Sequence, residues 1–136
     1  MIVTKIIRIL LITVILGAGC YLLVSAETIK CTECGMFLDM NSKFTSKIVQ
    51  GGSTLYFCDI GDLFLYLKRK DMTDVTAQVK DYVTGEWLDA KKAYFVHAEK
   101  KFMTPMGWGI AAFKDKTSAA ESGTVMDFNA TVLTIK

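Results

Sequence analysis

Ser53–Lys70 reads STLYFCDIGDLFLYLKRK, and this stretch decides the fold. Its first six residues are rich in β-branched and aromatic side chains, so they read as a strand. Asp59 then stands where a helix N-cap belongs, with Asp62 three residues on as an acidic variant of the capping box. Ile60, Leu63, Phe64 and Leu67 follow at i, i+3, i+4 and i+7, one apolar stripe of a helix. Lys68-Arg69-Lys70 falls in the last turn, where positive charge complements the helix dipole. A C-terminal cap therefore explains the triplet better than a binding patch does.

Upstream, Lys43–Gln50 (KFTSKIVQ) is a second β-prone run, and Gly51-Gly52 separates the two. That pattern predicts a β-hairpin. Downstream the same order recurs. Ile110–Phe113 reads as a short strand, and Phe113-Lys114-Asp115 leads into a helix that Gly123 ends, as Phe57-Cys58-Asp59 leads into the first. Val75–Val83 and Lys92–His97 read as further strands around a loop holding Gly85 and Trp87. Thr124–Phe128 and Thr131–Ile135 read as late strands. The expected class is α+β: a small domain of two ββα-like units, with mostly antiparallel strands and two short helices.

The chain has 136 residues, enough for one domain. Half of it is apolar (51%) and it has a single proline, which excludes a disordered or low-complexity chain. The net charge is +2, and both excess charges, Lys5 and Arg8, lie in the first 26 residues. The remainder holds 14 basic and 14 acidic residues, so no basic field for nucleic acid exists. Residues 1–26 read as an address. A basic start precedes an uncharged run from Ile9 to Val24, and Val24-Ser25-Ala26 suits small-x-small cleavage. The run also approaches the roughly 17–25 residues that span a bilayer, so an uncleaved anchor competes. Leu16-Gly17-Ala18-Gly19-Cys20 is an imperfect lipobox, which adds lipidation at Cys20 as a third fate. Each fate places residues 27–136 outside the cytoplasm, in the periplasm, with membrane association where the segment stays.

Most of the reactive side chains are sulfur. There are four cysteines, seven methionines and one histidine. Cys31-Thr32-Glu33-Cys34 can hold a metal, form a disulfide or exchange thiols. Cys31, Cys34, Cys58 and His97 would make a four-ligand zinc set, although a second Cys-x-x-Cys is absent. Thioredoxin-type chemistry would place the pair at a helix N-terminus, and no amphipathic helix follows Gly35. Met36 lies two residues past Cys34, and Met103 and Met106 flank Pro105 in a glycine-rich loop with little core to fill. Thiolate and thioether together favour Cu(I), which accepts about two or three soft ligands. Met40, Met72 and Met126 suit packing instead. The candidate ligands are thus Cys34, Met36, Met106, Cys31, Met103 and His97, with His97, a lone histidine at a strand end, also suited to a structural part. No Ser-His-Asp set, Walker loop or carboxylate pair marks an enzyme.

Cys34-Gly35-Met36, Phe57-x-Asp59 with Gly61-Asp62, Trp87-x-Asp89-Ala90 before Ala93-Tyr94-Phe95-Val96, Thr104-Pro105-Met106-Gly107 and Ala112-Phe113 stand in an order that resembles the NosL family. These are exported copper chaperones, often lipoproteins, associated with nitrous oxide reductase maturation. The resemblance covers most of residues 31–123. It implies two ββα-like units, Cu(I) as cargo, and Cys34, Met36 and Met106 as ligands. Cys31 falls where only some members have cysteine. The implied function is a metallochaperone, not an enzyme, whose partner is a copper-accepting client or its assembly complex. The alternative is an extracytoplasmic structural or interaction domain whose cysteines form a disulfide or a zinc site. A thiol oxidoreductase is a third class.

Overall fold

The computed structural model describes residues 28–72 and 74–136. The segment read as signal, anchor or lipidation site lies outside the described residues. The elements run β1 (Ser46–Gln50), β2 (Ser53–Phe57), α1 (Ile60–Arg69), β3 (Thr76–Lys80), β4 (Trp87–Asp89), a 3-10 turn (Ala90–Lys92), β5 (Tyr94–His97), β6 (Ile110–Phe113), α2 (Lys116–Ser122), β7 (Val125–Met126) and α3 (Phe128–Thr134). One antiparallel sheet has the order β2-β1-β3-β4, the other β6-β5-β7. The strand–strand–helix order therefore occurs twice, as β1-β2-α1 and β5-β6-α2, with β3 and β4 between.

The local causes are those of the residues. Gly51 and Gly52 carry φ of +55° and +82° between Gln50 and Ser53, which face each other, so the hairpin turns where only a residue without Cβ turns cheaply. The Asp59 side chain accepts from Gly61 N and opens α1, and the Asp115 side chain accepts from Ser118 N and opens α2. The buried face of α1 holds Ile60, Leu63, Phe64 and Leu67. Phe64 meets Phe95 edge to face at 5.2 Å and also packs against Phe128.

β5 and β6 form the middle layer, because successive side chains leave a strand on opposite faces. Phe95, Ile110 and Ala112 enter the cluster with α1, Ile48 and Phe57. Val96, Ala111 and Phe113 enter a second cluster with Phe102 and Ala119. Ile110–Phe113 is apolar without alternation for that reason: both faces are covered.

Three readings need correction. Thr131–Ile135 is not a strand. Phe128–Thr134 is a third helix, α3, opened by Asp127, whose Oδ1 accepts from Ala130 N at 2.8 Å. Phe128, Thr131, Val132 and Ile135 form its inward face at helical spacing, a period hidden by β-branched composition. Trp87–Asp89, read as loop, is strand β4 paired with β3, which itself stops at Lys80. The Thr124–Phe128 strand shrinks to Val125–Met126 because Asp127 is taken by the α3 cap.

Asp81 ties the two sheets together. It bridges to Ala112 in parallel sense, and its Oδ1 accepts from Lys114 N while Oδ2 accepts from Thr84 N and Oγ1. Burial raises the pKa of this carboxyl, but these donors outweigh it and hold the acid below the ordinary carboxylate range. Its folded pKa is depressed, so its ionised form stabilises the fold above the unfolded value and the benefit fades as pH falls. Asp81→Ala is expected to cost on the order of 1–2 kcal/mol at neutral pH by orphaning those donors. Urea unfolding of both chains should show the gap narrowing below about pH 3.9.

Candidate metal centre

The site is assembled where β2 passes into α1. β2 delivers Phe57 into the core and leaves Cys58 as the last residue before the Asp59 cap. Asp62, in the first turn of α1, lies four residues after Cys58, which precedes the cap. Cys31 and Cys34 arrive from another segment. Thr32 N donates to Tyr56 O at 2.8 Å, which lays residues 30–37 along β2. Inside that loop Gly35 N donates to Cys31 O and Cys31 N to Met36 O, with Gly35 at φ +75°, so the chain turns back at the Cys34-Gly35-Met36 corner.

Cys31, Cys34, Cys58 and Asp62 each bring one donor atom, and these atoms lie within 4.8 Å of one another. The Sγ atoms of Cys34 and Cys58 are 3.5 Å apart. Asp62 Oδ2 accepts from Cys58 Sγ at 3.6 Å and from Cys31 Sγ at 3.8 Å, while Cys31 Sγ accepts from Cys58 N at 3.4 Å. Cys31, Cys34 and Cys58 are free thiols. Cys31 and Cys58 are buried and Cys34 is half-buried, so the group has one accessible side. Burial, then the neighbouring thiols, push the Cys58 thiol far above its ordinary range. Burial also raises the Asp62 carboxyl; the Trp108 indole bond opposes the rise without cancelling it. A cation beside Cys58 would favour its ionised form.

The loop carrying Met106 is fastened to the first turn of α1. Asp59 does two jobs: Oδ1 accepts from Gly61 N at 3.1 Å, and Oδ2 accepts from Met106 N at 3.0 Å. Trp108 Nε1 donates to Asp62 Oδ1 at 2.8 Å. The loop is also folded on itself, with Gly107 N donating to Thr104 O and Gly109 N to Thr104 Oγ1. Gly61 makes the approach possible, since a Cβ there would lie 2.0 Å from Trp108 Cγ.

The sequence-derived candidates thus fall into two sets. Cys31 and Cys34 lie in the thiol group. The backbones of Met36 and Met106 are hydrogen-bonded to residues of the cluster or its immediate neighbour, and their side chains are exposed, at 45% and 44%. Met103 is 84% exposed and lines a depression with Phe44, Tyr82 and Lys101. His97 ends β5, with Nε2 3.4 Å from Glu99 Oε1, and is not among the gathered donors. Of the four residues weighed as a zinc set, Cys31, Cys34 and Cys58 are gathered, and the fourth donor beside them is Asp62 rather than His97.

Asp62 was the residue that sequence reasoning missed. It reads as a capping acid, yet Asp59 caps the helix and Asp62 faces the thiols and Trp108. The signal present was an acid in the first turn of a helix, four residues past a cysteine that precedes the cap.

A family model described as NosL matches residues 24–130. The solved copper chaperone NosL from Shewanella denitrificans has the same fold, with a TM-score of 0.63 and 21% identity over 75% of this chain and 88% of that one. No curated protein matches the chain.

Proposed function

The chain belongs to the NosL family, and from that premise we propose that it is an exported Cu(I) metallochaperone that hands its ion to a copper enzyme, nitrous oxide reductase being the client the family association suggests. The observation that carries the reading is the meeting of a group of unbridged thiols with two methionine-bearing loops at the start of α1. Thiol and thioether sulfur select a monovalent soft ion.

Cys34 is the principal ligand because it alone of the three thiols is open to solvent. It binds as thiolate and releases its proton as copper enters, so affinity falls at low pH. Met36 and Met106 supply neutral thioethers. Asp59 positions the Met106 backbone, and Trp108 with Asp62 holds the loop over the helix. Cys31 and Cys58 wall the inner side, where the Cys58 N–H already donates to Cys31 sulfur. An acceptor's donors reach the ion from the methionine side and bind before Cys34 leaves, so the ion is never bare. Residues 1–26 direct export and, where retained, tether the domain to the membrane. The protein binds and releases; it does not turn over a substrate.

Anaerobic titration of the reduced chain against a chromophoric Cu(I) chelator tests this. The expected result is one Cu(I) held per chain and passed on to a metal-free acceptor; a reduced chain that holds none contradicts it. A second reading rests on the donor count, since three thiols and a carboxylate equal the four ligands of a closed zinc site. Zn(II) held in preference to Cu(I), and not exchangeable, would favour a structural centre.

A further inference from the structure

We propose that Cys34 and Cys58 form a reversible disulfide, and that this oxidation closes the copper site. The effect on copper rests on the function proposed above, whereas the bond itself rests only on the thiol geometry. The two Sγ atoms lie 3.5 Å apart, about 1.5 Å beyond a disulfide bond of ~2.0 Å. They come from separate segments, and the turn that carries Cys34 is followed by Gly35 at positive φ, a corner that can adjust.

The third thiol is otherwise engaged. Cys31 Sγ accepts from the Cys58 amide in a position only 3% exposed; Asp62 Oδ2 accepts from both Cys31 and Cys58 and does not separate them. Cys34 Sγ has no protein partner except Cys58 Sγ among the described contacts. Three thiols leave one over after any internal bridge, and this arrangement selects Cys31 as the one that stays reduced.

Accessibility sets the order of events. Half-buried Cys34 is where a low-molecular-weight disulfide, such as oxidised glutathione, can land; buried Cys58 is the resolving thiol. Cys34 sulfur attacks one sulfur of the external disulfide, whose S–S bond breaks. One half departs as a thiol carrying the proton Cys34 loses. Cys58 sulfur then attacks Cys34 sulfur, and the second half departs with the proton of Cys58. The protein pair gives up two electrons and two protons, and the external disulfide becomes two thiols.

A disulfide sulfur cannot supply the thiolate that offsets the charge of Cu(I). Oxidation therefore removes the principal ligand, leaving the thioethers and Cys31. The coupling runs both ways, because Cu(I) on Cys34 also blocks the first attack. A copper-loaded chain resists oxidation, and an empty one in an oxidising compartment is set aside until reduced.

The test treats the metal-free full chain with oxidised glutathione, then applies non-reducing tryptic peptide mapping and anaerobic Cu(I) competition. The expected map joins peptide 31–43 to peptide 48–68, in the native chain and in Cys31→Ser alike. Cu(I) affinity should fall on the order of 100-fold or more and return with reductant, since a primary ligand is lost and even supporting-residue changes cost 10–100-fold. Cys58→Ser, compared with its own reduced form, should show no oxidative loss. A Cys31–Cys34 bridge, no bridge at all, a 31–43 to 48–68 link that vanishes in Cys31→Ser, or undiminished oxidative loss in Cys58→Ser would overturn the proposal. Peptide 31–43 carries both Cys31 and Cys34, so the native map read together with the Cys31→Ser map decides even if Cys58→Ser does not fold. A reduced chain that binds no Cu(I) refutes the chaperone reading instead, and the map still judges the bridge.

Discussion

Cys34→Ser is expected to abolish useful Cu(I) binding while leaving the fold intact. Cys34 is the one half-buried thiol of the three, and it sits on a surface loop whose backbone bonds, Gly35 N to Cys31 O and Cys31 N to Met36 O, do not involve its side chain. Serine keeps the volume nearly constant and removes only the sulfur. A hydroxyl is a hard, neutral donor that keeps its proton at neutral pH, so the ion loses both its soft ligand and its charge partner. The loss in affinity should be on the order of 100-fold or more, because weaker perturbations of supporting residues already cost 10–100-fold. A chelator competition reads the affinity, and thermal unfolding of the metal-free chain should barely move. An affinity unchanged in Cys34→Ser would shift the site inward to Cys31, Cys58 and Asp62.

Gly61→Ala is expected to damage fold and site together, through one methyl group. Gly61 lies in the first turn of α1 with ordinary helical backbone, where alanine alone would favour the helix. The obstacle is outside the helix: a Cβ at this position would stand 2.0 Å from Trp108 Cγ and 2.4 Å from its two neighbouring ring atoms. The indole must move, and its bond to Asp62 Oδ1 goes with it. Overpacking of this kind costs about 1–3 kcal/mol, and the orphaned carboxyl oxygen of Asp62, 2% exposed as a residue, adds to it. The Thr104–Gly109 loop then loses one of its two fasteners, which frees Met106. Denaturant unfolding and Cu(I) competition should therefore both report the change, and Gly61→Ala combined with Trp108→Ala should recover part of the stability by removing the clash. A Gly61→Ala chain as stable as the native one would contradict the packing of Trp108 on Gly61.

What the amino-acid sequence disclosed follows from which interactions are local. The α1 stripe from Ile60 to Leu67 and the Asp59 cap lie within one helix, and the Gly51-Gly52 turn needs only its own backbone, so these were legible. The Phe-x-Asp echo was legible for the same reason. α3 was hidden because Thr131, Val132, Thr134 and Ile135 are strand formers by composition; contact with Phe64 and the Asp127 cap outweigh that preference. β4 was hidden because three residues carry no periodicity.

The candidate site divides along the same line. The Cys-x-x-Cys spacing and the methionines announced soft-metal chemistry without any fold. Joining Cys58 and Asp62 to them depends on the Thr32 to Tyr56 hydrogen bond, a contact between segments more than twenty residues apart. Met103 and Met106 are three residues apart in one loop, and nothing in the sequence separates them. The Asp59 and Asp62 bonds to Met106 N and Trp108 do, by holding the second half of the loop against α1.

The central claim is that sulfur from residues 34–36 and from residue 106 holds one Cu(I) between them. Copper X-ray absorption on the Cu(I)-loaded chain grown with selenomethionine tests it most directly. The account predicts copper–selenium scattering alongside copper–sulfur, and its disappearance in Met36→Leu with Met106→Leu. No selenium neighbour in the native chain, or one that persists in the double variant, would contradict it.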